Sequence, residues 1–245
     1  MSDADADLGA CAELLSRGDP ERFRAAMAAP VAARRVLLPL YAFNLEVARA
    51  PWVTKEPMIA EMRLQWWRDA LDEIAQGGRV RRHEVVTPLA AILDPRGARD
   101  LDGLIDARRQ DLEGAPTSRD ALMRYIDRTA GALMWTSARL LGASDAPASR
   151  DAGKAHGIVA WLAAAPELSR RNRRPIPPDT DAEDLAREGL AALDRFTSAR
   201  LPRSARPATY VLADARARLR ALADGRDMTA PSAWRLMRTV VTGRV

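Results

Sequence analysis

Cysteine occurs once in these 245 residues, at Cys11, and histidine twice, at His83 and His156. A single thiol excludes an internal disulfide framework or a thiolate metal cluster within one chain. Two histidines with no short spacing between them offer no zinc or non-haem iron site. Aromatic residues make up only 5% of the chain, and no alternating apolar and polar stretch survives anywhere. That argues against a β-rich domain. No apolar run reaches the roughly eighteen residues that a membrane span needs. The opening MSDADADLGA has neither the basic and apolar regions of a secretory signal nor the arginine-rich character of a transit peptide, so the expected location is cytoplasmic.

Lysine is scarce too: of 38 basic residues only Lys55 and Lys154 are lysine. The net charge of +5 and the isoelectric point near 10.1 therefore express an arginine bias. Dispersed, solvated arginines are the plainer reading, and a polyanion-binding surface is the alternative. The basic runs lack interleaved aromatics, so no nucleic-acid partner is expected. With 47% hydrophobic and 29% charged residues, the chain reads as an Ala/Leu/Arg-rich helical protein.

Apolar periodicity predicts helices throughout. The first covers Ala6–Ser16 and ends at Gly18-Asp19-Pro20, where Asp19 is placed to cap a second helix with Phe23, Met27 and Val31 on its buried stripe. A nearly all-apolar helix follows over Ala32–Ala50, with Pro39 expected to kink it or mark its start. Met58–Gln76 places Met58, Ile59, Met62, Trp66, Ala70 and Ile74 at helical spacing and stops at Gly77-Gly78. Beyond a basic RVRRH loop lie Leu89–Leu93, Leu101–Leu112 and Arg119–Leu141, the last capped by Thr117 or Ser118. Ala148–Ala165 is interrupted by Pro166, and a Pro-rich charged loop precedes Ala182–Arg200 and Ala208–Ala223. The expectation is an all-α, single-domain helical bundle spanning residues 1–245, with 232–245 a docked or membrane-facing amphipathic tail.

Four segments, in order, carry a resemblance: LYAF at Leu40–Phe43, RLQWWRDAL at Arg63–Leu71, LIDARRQDL followed by YIDRTAGALM, and the helix from Gly153 through SRRNRRPIP. Together they resemble the squalene/phytoene synthase family of class I isoprenoid synthases. The resemblance implies helices around a central apolar cavity in which Asp-rich motifs hold magnesium against prenyl diphosphates. Growing charge on a diphosphate leaving group needs metal ions, and carboxylates one helical turn apart hold them. The first motif, D-D-x-x-D, would fall on Ala48, Arg49 and Trp52; the second, D-x-x-x-D, on Ala164 and Leu168. Glu46, Glu167, Asp69, Asp72 and Glu73 are nearby acids, expected to be solvated or ion-paired, with Arg68 and Asp72 as an i, i+4 pair.

AFNLEVA and HGIVAWLAAAP are similar to a degenerate branch of that family, the phytoene-synthase-like assembly factors of respiratory complex I. This implies a catalytically inactive protein with no cofactor, supporting assembly of the NADH dehydrogenase through a complex I subunit or assembly intermediate, peripheral to the inner face of the membrane. The alternatives are a prenyl-diphosphate transferase with relocated magnesium ligands and a membrane-surface protein binding an isoprenoid or other lipid. Candidate cavity residues are Tyr41, Asn44, Ala48, Trp66, Ala164 and Leu168. Candidate anion ligands are Arg49, Arg170, Arg171, Arg173 and Arg174. In the tail, Trp234, Arg235 and Arg238 are candidate membrane contacts. No residue is assigned a catalytic or metal-binding role.

Overall fold

A computed structural model describes residues 3–54, 56–199 and 201–245, and among them every regular element is helical. The chain divides into two compact units, Met1–Leu112 and Glu113–Val245.

The first unit is built from α1 (Asp3–Gly18), α2 (Pro20–Ala28), α3 (Val31–Arg49), a 3-10 turn at Ala50–Trp52, α4 (Pro57–Gln76), α5 (Val86–Ala90) and α6 (Pro95–Glu113). Asp19 caps α2 as expected, its carboxylate accepting from the Arg22 backbone N–H at 3.0 Å beside Pro20 at the first helical position. Three readings of periodicity need correction. Met27 and Val31 are exposed, while Ala25, Ala26 and Ala29 are buried, so α2 packs through small residues. Helix α3 starts at Val31 and continues past the buried Pro39, which neither begins nor ends it. In α4 the buried side is Ala60, Leu64, Trp67, Ala70, Leu71 and Ile74, and the opposite stripe leaves Met58 at 76% and Met62 at 66% exposure. Both stripes have helical spacing, so period alone does not choose between them.

Cys11 is fully buried, and burial, with the charges of Asp7 and Glu84, pushes its thiol up to about 12. Its sulfur donates weakly to the Glu84 carbonyl at 3.5 Å. The thiolate is the reactive form. Ellman's reagent at pH 8 is therefore expected to find no thiol in the native protein and one equivalent after unfolding in guanidinium.

The second unit contains α7 (Arg119–Ile126), a π turn at Asp127–Gly131, α8 (Ala132–Leu140), α9 (Ala146–Arg170), α10 (Ala182–Ser198), a 3-10 stretch at Arg206–Leu212, α11 (Ala215–Ala223) and α12 (Ala233–Thr242). The capping positions follow the sequence: Ser118, Asp145, Asp181 and Ser232 each accept a backbone N–H three residues on. The single helix expected over Arg119–Leu141 instead carries the π turn. Widening the turn frees a carbonyl, and the buried Thr129 hydroxyl donates to the Tyr125 carbonyl at 2.7 Å. Against this turn lies α9, where a Cβ on Gly153 would sit 2.5 Å from the Ala130 oxygen and 2.6 Å from Gly131 Cα. Pro166 does not interrupt α9, which continues to Arg170 because its outer face there is solvated. The helix expected over Ala208–Ala223 is a 3-10 stretch and then α11, which starts at Ala215 with no side-chain cap bond.

Candidate functional site

The end of α3 and the first half of α4 form a pocket of about 440 Å³ lined by Glu46, Arg49, Ala50, Val53, Arg63, Trp66, Trp67 and His83. Its wall is aromatic. Trp66 and Trp67 meet edge to face at 4.9 Å, His83 lies 5.1 Å from Trp66 and 5.5 Å from Trp67, and Phe43 supports Trp67 from behind at 5.5 Å. Adjacent residues on a helix normally diverge. Trp66 and Trp67 reach the same pocket because the chain after Gly77 folds His83 back over both rings.

That return is fixed by charge. Arg81 donates to both oxygens of Glu73, at 2.6 and 3.1 Å, and to the Trp66 carbonyl at 3.3 Å, and its guanidinium stands 4.8 Å over the Trp66 ring. The Arg81 bonds hold the Glu73 carboxyl below the usual carboxylate range. Arg82 reaches the buried Asp7 at 2.8 Å, and His83 Nδ1 accepts the Val85 backbone N–H at 3.1 Å. The RVRRH run is thus partly a structural strap rather than a solvated loop.

At the mouth the charge is cationic. Glu46 is the one carboxylate among the lining residues, with Arg49 at 3.7 Å, and Arg63 is exposed and has no ion-pair partner among the described residues. Such a set suits a phosphate or carboxylate attached to an apolar or flat body. A magnesium ion asks for several oxygen ligands, and one carboxylate held against an arginine does not fit it. Among the described residues no cluster of three or more His, Cys, Asp or Glu could hold a metal.

Of the cavity candidates in this unit, Trp66 lines the pocket. Tyr41 and Asn44 are buried, Ala48 is half-buried, and none of the three lines it. Burial raises the Tyr41 phenol, over whose ring Arg22 lies at 5.7 Å. The nearby acids are engaged elsewhere: Gln65 donates to Asp69 at 2.7 Å, and Arg68 bonds Asp102 at 2.5 Å rather than pairing with Asp72. The sequence offers His83 only as part of the basic RVRRH run, a candidate anion contact or a solvated loop, and marks neither Trp67 nor Arg63 as a binding residue. Arg63 stands three residues before Trp66, a helical spacing that shares a face; His83 enters only through the fold-back, which no local spacing encodes.

In the second unit Ala164 is exposed and Leu168 half-buried, both on α9. Glu167 accepts from Arg171 at 2.8 Å and pairs with Arg170 at 2.5 Å; the Arg171 bond above all holds its carboxyl below the usual range. Arg170 and Arg171 are thereby partly neutralised. The chain turns at Asn172, whose φ of 57° is left-handed, leaving Arg174 exposed and Arg173 half-buried. Trp161 ties the loop down, donating its indole N–H to the Pro175 carbonyl at 2.8 Å while meeting the Tyr125 ring edge to face at 5.5 Å. His156 is buried in α9. On α12, Arg235 bonds Asp214 at 3.0 Å, whereas Trp234 and Arg238 are exposed.

The squalene/phytoene synthase family profile matches residues 15–243. Complex I assembly factor 6 of Mus musculus is 30% identical over 174 residues, covering 69% of this chain and 52% of that protein; the Bos taurus protein is 30% identical over 185 residues with the same coverage. The chain therefore spans about half the length of the curated relatives it matches. A dehydrosqualene synthase crystallised with ligand superposes with a TM-score of 0.74 at 14% identity, covering 97% of this chain and 95% of that one. A squalene synthase, HpnC from Alicyclobacillus acidocaldarius, gives 0.75 at 15% identity, covering 92% and 97%. At those identities the likeness is one of fold.

Proposed function

This chain belongs to the squalene/phytoene synthase family, and from that premise we propose that it is a non-catalytic member that supports assembly of respiratory complex I. The observation that carries the non-catalytic half is the charge of the pocket between α3 and α4: Arg49 and Arg63 with a single carboxylate, Glu46. A prenyl synthase must neutralise a departing diphosphate with metal ions, and this donor set does not recruit them. The assembly half is supported by the mouse and bovine relatives, which are named as complex I assembly factors. In this reading the pocket holds an anionic, partly apolar ligand or a partner side chain without turning it over, and the partner is a complex I subunit or assembly intermediate.

Two measurements test the halves separately. Deletion of the gene is expected to lower NADH:quinone oxidoreductase activity and the amount of assembled complex I in isolated membranes several-fold, with both restored by the wild-type gene and by E46Q. Unchanged complex I would end the assembly reading. Purified protein incubated with magnesium and farnesyl or geranylgeranyl diphosphate is expected to release no diphosphate above a protein-free blank. Release abolished by E46Q or D69N would instead establish the transferase alternative, with Glu46 or Asp69 as relocated ligands.

A further inference from the structure

Helix α12 docks through one side and leaves the other bare. Thr239 is buried and Leu236 and Val240 are half-buried where the helix packs on the 3-10 stretch Arg206–Leu212. Trp234, Met237 and Val241 remain 66%, 65% and 79% exposed. Their spacing of i, i+3 and i+7 sets them on one stripe, the position where a helix facing only water carries polar residues.

The charge around that stripe is of one sign. Residues 228–245 contain three arginines and no aspartate or glutamate. Arg235 is occupied by Asp214, which also accepts the Ser232 backbone N–H at 3.0 Å and so anchors the start of the helix. Arg238 lies on the exposed face with its guanidinium 5.6 Å over the Trp234 ring. Arg244 is exposed just past the helix, after the left-handed Gly243, and neither it nor Arg238 has an ion-pair partner among the described residues. Apolar side chains bordered by free guanidinium groups on flexible stems match the boundary of a bilayer, where the stems lie among acyl carbons and the charged heads reach lipid phosphates.

We propose that the outer face of α12 is a peripheral binding surface for an anionic phospholipid membrane. Trp234, Met237 and Val241 enter the headgroup–acyl boundary, and Arg238 and Arg244 meet the phosphates. The helix lies in the plane of the interface: its ten residues make about 15 Å of helix, half of what a bilayer crossing takes. A protein partner with an acidic surface is the competing occupant, but a single convex stripe with no groove gives such a partner no pocket to fill. The proposal rests on α12 alone and is independent of the assembly reading.

The test is co-sedimentation of the full chain with vesicles of phosphatidylcholine alone or with 30% phosphatidylglycerol. Binding is expected only with the anionic vesicles and should weaken as salt rises. Removing Arg238 and Arg244 by R238Q and R244Q should weaken it about fivefold per arginine. The triple substitution W234S, M237S and V241S, confined to exposed positions, should weaken it more than about tenfold, with helical circular dichroism unchanged. The pair M58S and M62S, which strips the other exposed apolar stripe, should leave binding intact. Background pelleting with anionic vesicles, which is also what an acidic protein partner predicts, overturns the proposal. So does binding that the triple and double α12 variants leave unchanged.

Discussion

Adding one methyl group at Gly153 is expected to destabilise the protein by about 3 kcal/mol, near the upper end of overpacking costs, and to lower its melting temperature by roughly 6–12 °C. The new Cβ would lie 2.5 Å from the Ala130 carbonyl oxygen, 2.6 Å from Gly131 Cα and 2.9 Å from Met134 Cβ. Two of these are backbone atoms of the π turn, which is pinned by the Thr129 hydroxyl and cannot yield as a flexible side chain would. Alanine is a better helix former than glycine by about 1 kcal/mol, too little to offset the clash. Gly103, inside α6, makes the opposite case, because a Cβ there meets nothing within 4 Å. G103A should therefore stabilise by about 0.5–1 kcal/mol. Thermal unfolding of both variants decides the matter: equal and small shifts would mean that α9 has room the packing does not show.

Truncating Phe43 to alanine is expected to cost about 3–5 kcal/mol. The ring is fully buried and meets Trp67 edge to face at 5.5 Å, while Trp67 in turn carries His83. Loss of the ring removes buried area and one aromatic contact, and the cavity is left directly behind the pocket wall. Urea unfolding measures the first effect and tryptophan emission the second, since loosening around Trp66 and Trp67 should move it to the red. M58A changes a residue that is 76% exposed and should shift stability by less than about 0.5 kcal/mol. A large effect of M58A would mean that the two faces of α4 are the other way round.

That comparison also marks how much could be read from residues alone. Helices, caps and family were legible because each is encoded within a few positions: Asp19 before Pro20, Ser118 before its helix, RLQWWRDAL as a contiguous string. The facing of α4 was not. Met58, Met62 and Trp66 form one helical stripe and Ala60, Leu64, Trp67, Leu71 and Ile74 another, and only packing selects the second for burial. Pro166 does not interrupt its helix and Pro39 does not start one; both helices continue because one missing N–H costs less than breaking a long packed or solvated helix. The candidate site was half visible. Arg49 and Trp66 were marked by their place in the motifs, while His83 joins them through the Arg81–Glu73 and Arg82–Asp7 bonds, which link residues eight and seventy-five positions apart.

The π turn at Asp127–Gly131 has a bearing on how such chains are aligned. A π turn holds one residue more than the α turn it replaces, so the helix through YIDRTAGALM is one residue longer in sequence than a plain α-helix crossing the same distance. A homologue that is α-helical throughout must be offset there by a single-position gap in mid-helix. Without it, every residue of α8 would be matched to a neighbour facing about 100° away, and correspondences drawn across the helix would name the wrong side chains.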